Sequence, residues 1–124
     1  MNLMSEVSAA LTEILDIEES SIAQDSYLIR DLGAESIDLL ELSVELNKRT
    51  GTEIVDDHIF MRRLREHLID VDSTNHDPEA LLMEKYPFLS RKRVKDILSD
   101  LDGGPVLKVQ DLVSYLSWRN AHGS

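Results

Sequence analysis

Asp31-Leu32-Gly33-Ala34-Glu35-Ser36-Ile37-Asp38-Leu39-Leu40-Glu41-Leu42 joins a glycine turn to an amphipathic run, and the rest of the chain can be read outward from it. Glycine takes up positive φ at no steric cost, so Gly33 suits a tight turn ahead of a helix. Ser36 stands where an N-cap is expected, immediately before the periodic apolar residues. A hydroxyl there is exposed, on a rigid element, close to free backbone N–H groups and the positive end of a helix dipole. Such a position accommodates a phosphate, since negative charge at a helix N-terminus gains about 0.3–1 kcal/mol when exposed. The plainer alternative is an ordinary turn and capped helix, which the same residues would also make.

The apolar residues of the helix predicted over about 37–49, closed by Gly51, fall into two stripes at about 100° per residue. Leu39, Leu42 and Leu46 share one face and are expected in the core. Ile37, Leu40 and Val44 point the other way, with Asp38, Glu41 and Glu45 forming an acidic strip beside Ile37. Either another segment covers this second face, or it is a docking surface of apolar contacts ringed by acids.

The chain has 124 residues, enough for one domain with its own core. An apolar content of 42% favours a folded protein over a disordered one. There is no cysteine, so any thiol chemistry must arrive on a cofactor. No apolar run is long enough to span a membrane and no secretory start is evident, so a cytoplasmic protein is expected. The net charge of −11 resides wholly in residues 1–60, while 61–124 balance to zero. An acidic field of this kind disfavours nucleic acid and attracts basic protein surfaces.

Elsewhere the periodicity predicts only helices. Leu3, Val7, Ala10, Leu11 and Ile14 mark a first helix ending near Leu15. A long loop follows, anchored by Ile17, Ile22, Tyr27, Leu28, Ile29 and Leu32. After Gly51 a helix is expected to start near Asp56-Asp57 and continue through Phe60, Leu64 and Leu68 to about Ile69. Asp72-Ser73-Thr74-Asn75 reads as a polar turn. Asp77-Pro78-Glu79 is a helix start, and that helix stops at Pro87. Ser90 caps another over about 91–101, with Val94, Ile97, Leu98 and Leu101 inward, closed by Gly103-Gly104-Pro105. Val109, Leu112, Val113 and Leu116 mark the last helix, ending near Trp118.

The run Leu32-Gly33-Ala34-Glu35-Ser36-Ile37 resembles the signature of acyl carrier proteins, with Glu35 for the usual aspartate and Ile37 for the usual leucine. Lys108-Val109-Gln110-Asp111-Leu112 through Tyr115 resembles the closing helix of that family. The resemblance covers 1–60 and about 106–120. It implies an all-α, four-helix acyl-carrier-like bundle in which 61–105 form an inserted helical hairpin before the last helix, within a single domain over 1–124. It further implies that Ser36 bears 4'-phosphopantetheine, donated by coenzyme A through a phosphopantetheinyl transferase, and that acyl groups ride on the arm's thiol as thioesters. The expected setting is fatty-acid, lipid or polyketide-type biosynthesis, with the chain acting as a carrier and not an enzyme. Glu35, Ile37, Asp38, Leu40, Glu41, Val44 and Glu45 become docking candidates for acyl-transferring or acyl-modifying enzymes with basic surfaces. Ile54, Val55 and Ile59 become candidates to line an acyl-sheltering cavity between the helices, with plain core packing as the alternative. A monomer with no nucleic-acid partner is expected. Alternatives are a peptidyl or aminoacyl carrier, which Gly33-Ala34-Glu35-Ser36 fits less well, and an unmodified helical adaptor of the same fold.

Nothing else in the sequence competes for the chemistry. His58 and His67 are nine apart, not the three or four that align ligands on one helix face, and no metal site is expected with His76 or His122. Asp100-Leu101-Asp102-Gly103 lacks the remaining ligands of a calcium loop. Arg91-Lys92-Arg93 with Lys95 opens a helix, where cations are disfavoured. The run reads as a solvated face, with the acidic half of the molecule, a specialised partner or an anionic membrane as other possible contacts.

Overall fold

The computed structural model describes residues 2–74 and 77–122. Asn2 caps α1 (Leu3–Leu15), its side chain accepting from the Ser5 N–H at 3.1 Å, and Asp16 ends the helix in the left-handed region at φ 54°. A single 3₁₀ turn, Glu19–Ser21, interrupts the loop that follows. Then come α2 (Ser36–Thr50), α3 (Asp56–Ile59), α4 (Leu64–Thr74), α5 (Pro78–Lys85), α6 (Arg91–Asp100) and α7 (Val109–His122).

The all-α class holds, and α1 packs against both α2 and α7 while α3 lies on α7. Helices α4, α5 and α6 pack in succession. The core draws on every part of the chain: Val7, Leu11, Leu28, Leu42, Leu46, Ile59, Leu82, Ile97, Leu112, Tyr115 and Leu116 are all buried to within 1%. Local signals set most boundaries. Asp77 accepts from the Glu79 N–H at 3.1 Å with Pro78 at the first helical position, and Ser90 accepts from the Arg93 N–H at 3.1 Å. Gly51, at φ 67°, donates to the Asn47 carbonyl and closes α2.

The loop before α2 is held against the segment before α7. Leu28 N–H donates to the Leu107 carbonyl and Val109 N–H to the Ser26 carbonyl, around an isolated antiparallel bridge between Tyr27 and Lys108. Of its expected anchors, Leu28 is fully buried and Ile22 and Leu32 are partly so, but Ile29 is exposed. Arg30 fastens the same loop to the end of α6. Its guanidinium pairs with Asp100 at 3.1 Å and donates to the Gly104 carbonyl at 3.0 Å, while the Tyr27 hydroxyl donates to Asp100 at 2.5 Å. Arg65 of α4 reaches the same place, donating to the carbonyls of Leu101 and Gly104 at 3.0 and 2.9 Å.

Three expectations fail here. The helix after Asp56 does not run on to Ile69. It breaks over 60–63, where Met61 takes a left-handed φ of 49°. A continuous helix would fan the successive residues Ile59, Phe60 and Met61 across about 200°. The break lets all three, with Leu64, become buried. Asp72, Ser73 and Thr74 belong to the end of α4 and not to a turn, and Asn75 lies outside the described residues. Arg93 is not on a solvated face. It is buried beside Asp111 of α7, donating through Nε and Nη2 to the two carboxylate oxygens at 2.8 and 2.7 Å and through Nη2 to the Val106 carbonyl at 2.6 Å. Arg91, Lys92 and Lys95 are exposed, Arg91 lying 3.3 Å from Glu79.

Candidate functional site

Gly33 adopts φ 73°, and the turn is closed by Gly33 N–H on the Ile29 carbonyl and Ala34 N–H on the Leu28 carbonyl. A side chain at Gly33 would meet no neighbouring atom, so glycine is required there for its backbone angle and not for space. Ser36 follows at the first helical position, not at the cap. Glu35 occupies the cap, and its N–H donates to the Asp38 carboxylate at 2.8 Å. With Glu35 at the cap, the serine is left free of that role. A capping hydroxyl would be spent on a backbone N–H, whereas the Ser36 hydroxyl is exposed and has no hydrogen-bond partner among the described residues. The leading N–H groups of α2 surround it with positive potential.

A cavity of about 310 Å³ opens beside Ser36. Leu39, Phe60, Met61, Leu64, Val106 and Leu107 give it apolar walls, and Arg62, Arg65 and Glu66 add charge. None of Ile54, Val55 and Ile59 lines it; Ile59 is wholly in the core, and Val55 accepts its structural role by donating its N–H to the Tyr115 hydroxyl at 3.1 Å. Sequence reasoning missed the cavity because a helix continuous through Met61 leaves no such wall. The signal was three adjacent large apolar residues, more than one helix face can bury.

The two-stripe reading of α2 is accurate. Leu39, Leu42 and Leu46 are buried, while Ile37, Leu40 and Val44 are 61%, 54% and 62% exposed. Leu40 and Val44, with Glu13, Ile14, Glu41 and Glu45, line a groove of about 560 Å³ between α1 and α2. The acids beside it differ in freedom. Asp38 holds the Glu35 N–H, and Glu45 pairs with Arg49 at 2.9 Å, so Glu41 is the carboxylate without a partner among the described residues. Arg49 also reaches Glu13 at 3.1 Å and lies 3.8 Å from Glu6, tying α2 to α1.

Asp56 accepts from the Ser43 hydroxyl at 2.7 Å at the start of α3, as an acid at a helix N-terminus would. The His67 ring meets Tyr86 edge-on at 6.0 Å. His76 lies outside the described residues, and among those described no cluster of three metal-ligating side chains forms. Nor is any helix among them long and apolar enough to cross a membrane.

The structure defines a helical domain that presents an exposed serine hydroxyl at a helix N-terminus beside a cavity. A family model described as the phosphopantetheine attachment site matches residues 5–63. The acyl carrier protein of Karelsulcia muelleri is 31% identical over 86 residues, covering 69% of this chain and 96% of that one. Those of Helicobacter acinonychis and Helicobacter pylori are 33% and 32% identical over 57 residues, covering 46% of this chain and 73% of theirs. No solved structure matches. The chain belongs to the acyl carrier protein family, whose phosphopantetheine attachment domain carries covalent 4'-phosphopantetheine and whose members are carriers, not enzymes.

Proposed function

We propose that Ser36 is the attachment residue and that 61–105 are a helical insertion in a single carrier domain. The observation that carries the reading is the exposed Ser36 hydroxyl at the N-terminus of α2, without a hydrogen-bond partner among the described residues and beside a cavity. The residues fit the group. A phosphodiester on Ser36 Oγ is favoured by the helix N-terminus, and the turn fixed by Gly33 keeps the oxygen accessible. In loading, the Ser36 oxygen forms a bond to the phosphorus next to the pantetheine of coenzyme A. The phosphoanhydride bond breaks, adenosine bisphosphate leaves, and the serine proton passes to the transferase. The arm supplies a thiol on which acyl groups form thioesters; the protein positions and shelters it while partner enzymes carry out the reactions.

Glu35, Ile37, Asp38, Leu40, Glu41, Val44 and Glu45 make the docking face for those enzymes and for the transferase. Apolar contacts at its centre supply affinity, and the acidic rim steers basic partners. The cargo is an acyl group of fatty-acid, lipid or polyketide-type biosynthesis, and the protein works as a cytoplasmic monomer. Incubation with coenzyme A and a broad-specificity phosphopantetheinyl transferase, followed by intact mass measurement, tests the attachment. Wild type gains the arm and Ser36→Ala does not. No gain in wild type, or a gain that persists in Ser36→Ala, overturns the reading.

A further inference from the structure

The cavity beside Ser36 is built largely by residues of 61–105 and the two that follow, and it has a charge pattern at odds with its surroundings. Residues 1–60 carry the whole net charge of −11, and Glu35 precedes Ser36 with Asp38 two residues after it. Against that background two arginines face one small cavity, together with Glu66, whose carboxylate is already paired with Arg63 at 2.8 Å. Arg65 is already engaged with the Leu101 and Gly104 carbonyls. Arg62 is not. Its guanidinium lies 5.5 Å from the centre of the Phe60 ring, itself a cavity wall, and it has no carboxylate partner among the described residues.

We infer that this cavity is the seat of the prosthetic arm's near half, the phosphodiester and the branched dimethyl unit next to it, with Arg62 as the phosphate-positioning residue. The inference rests on the attachment at Ser36 proposed above. Charge complementarity points to the phosphodiester. Glu35 and Asp38 repel it, and Arg62, with no carboxylate partner among the described residues, is able to offset them, its geometry biased by the aromatic face beneath it. A cavity of about 310 Å³ is too small for a full arm together with an acyl chain, so only part of the loaded group fits it. Because Ser36 is itself part of the wall, the atoms entering first are those nearest the serine. The apolar walls formed by Leu39, Met61 and Leu64 suit the dimethyl branch.

The test uses full-length protein loaded with coenzyme A, with loading verified by intact mass, and compares amide spectra of apo, arm-bearing and octanoyl-bearing forms. The expected result is that the bare arm shifts the amides of 61–66 and 106–107 as well as those around Ser36, and that octanoylation adds little at those positions. Arg62→Glu, at an exposed side chain, should leave the apo spectrum intact elsewhere. In its arm-bearing form it should shift the phosphorus resonance and reduce occupancy of the seat about two- to fivefold, the effect of one exposed ion pair. Shifts confined to the neighbourhood of Ser36, shifts at 61–66 that appear only on octanoylation, or a phosphorus resonance indifferent to Arg62→Glu would each overturn the inference. Absence of any mass gain would instead sink the attachment at Ser36, so the two failures are distinct.

Discussion

Replacing Asp111 by alanine is the most severe single test of how the molecule is held together. Asp111 is 1% exposed and Arg93 6%, so the pair is cut off from water. Burial works to discharge the Arg93 guanidinium, the Asp111 carboxylate more than offsets it, and the arginine's pKa stands above its ordinary value. Asp111→Ala leaves that guanidinium buried with only the Val106 carbonyl, which for a broken buried pair costs about 3–5 kcal/mol. It also removes the acceptor of the Lys108 N–H, 2.9 Å away at the start of α7, adding about 1 kcal/mol for a lost cap. Against a domain stability of about 5–15 kcal/mol, the combined loss of about 4–6 kcal/mol takes from about a third of the margin to all of it. Urea unfolding followed by far-ultraviolet circular dichroism reads the loss directly. The double variant Arg93→Met/Asp111→Leu removes both charges, and similar swaps elsewhere have been neutral or stabilising by about 1–4 kcal/mol. It should therefore be clearly more stable than Asp111→Ala. If the double variant loses as much as Arg93→Met and Asp111→Leu, made singly, added together, the coupling is nil and the reasoning about a desolvated pair is wrong.

Tyr86 is buried with its hydroxyl unpartnered among the described residues, and burial, reinforced by Asp57, pushes its pKa up to about 12. The folded value lies above the unfolded one near 10, so the protein keeps this stability below about pH 10 and loses up to about 2–3 kcal/mol as pH rises to about 12. Tyr86→Phe should flatten that alkaline limb in urea titrations; an unchanged limb would exclude Tyr86 as its source. Glu41→Lys should slow acyl transfer from a basic partner enzyme at low salt while leaving the helical spectrum and unfolding midpoint within about 0.5 kcal/mol of wild type. Equal transfer rates would remove Glu41 from the docking face. Glu45→Lys is the poorer probe, because it also removes the carboxylate that pairs within α2 with Arg49, the residue that reaches across to Glu13 of α1.

What the sequence disclosed was local. The caps at Asp77 and Ser90, the glycine closures and the opposed stripes of α2 depend on residues within a turn or two of one another, and each stands as read. Even the misplaced cap at Ser36 was a contest one residue wide, won by Glu35 because Asp38 lies three residues on and can take its N–H. The errors lie where distant segments decide. Arg93 reads as surface until Asp111, eighteen residues later, is brought against it. The kink at Met61 reads as helix until the core claims three adjacent side chains at once. The cavity beside Ser36 needs both, since its walls come from the kink and from the strand-like approach to α7.

The Gly104 carbonyl, which accepts from Arg30 at one side and Arg65 at the other, has a consequence for anyone wishing to move this segment. Residues 61–105 are not a detachable cassette. Excised, they would strand Tyr27 and Arg30 without Asp100 and take away one wall of the serine's cavity. Grafted into another helical carrier, they would arrive lacking the tyrosine, arginine and aspartate that their own host keeps in the preceding loop and the final helix. A working transplant has to carry Tyr27, Arg30 and Asp111 along with it.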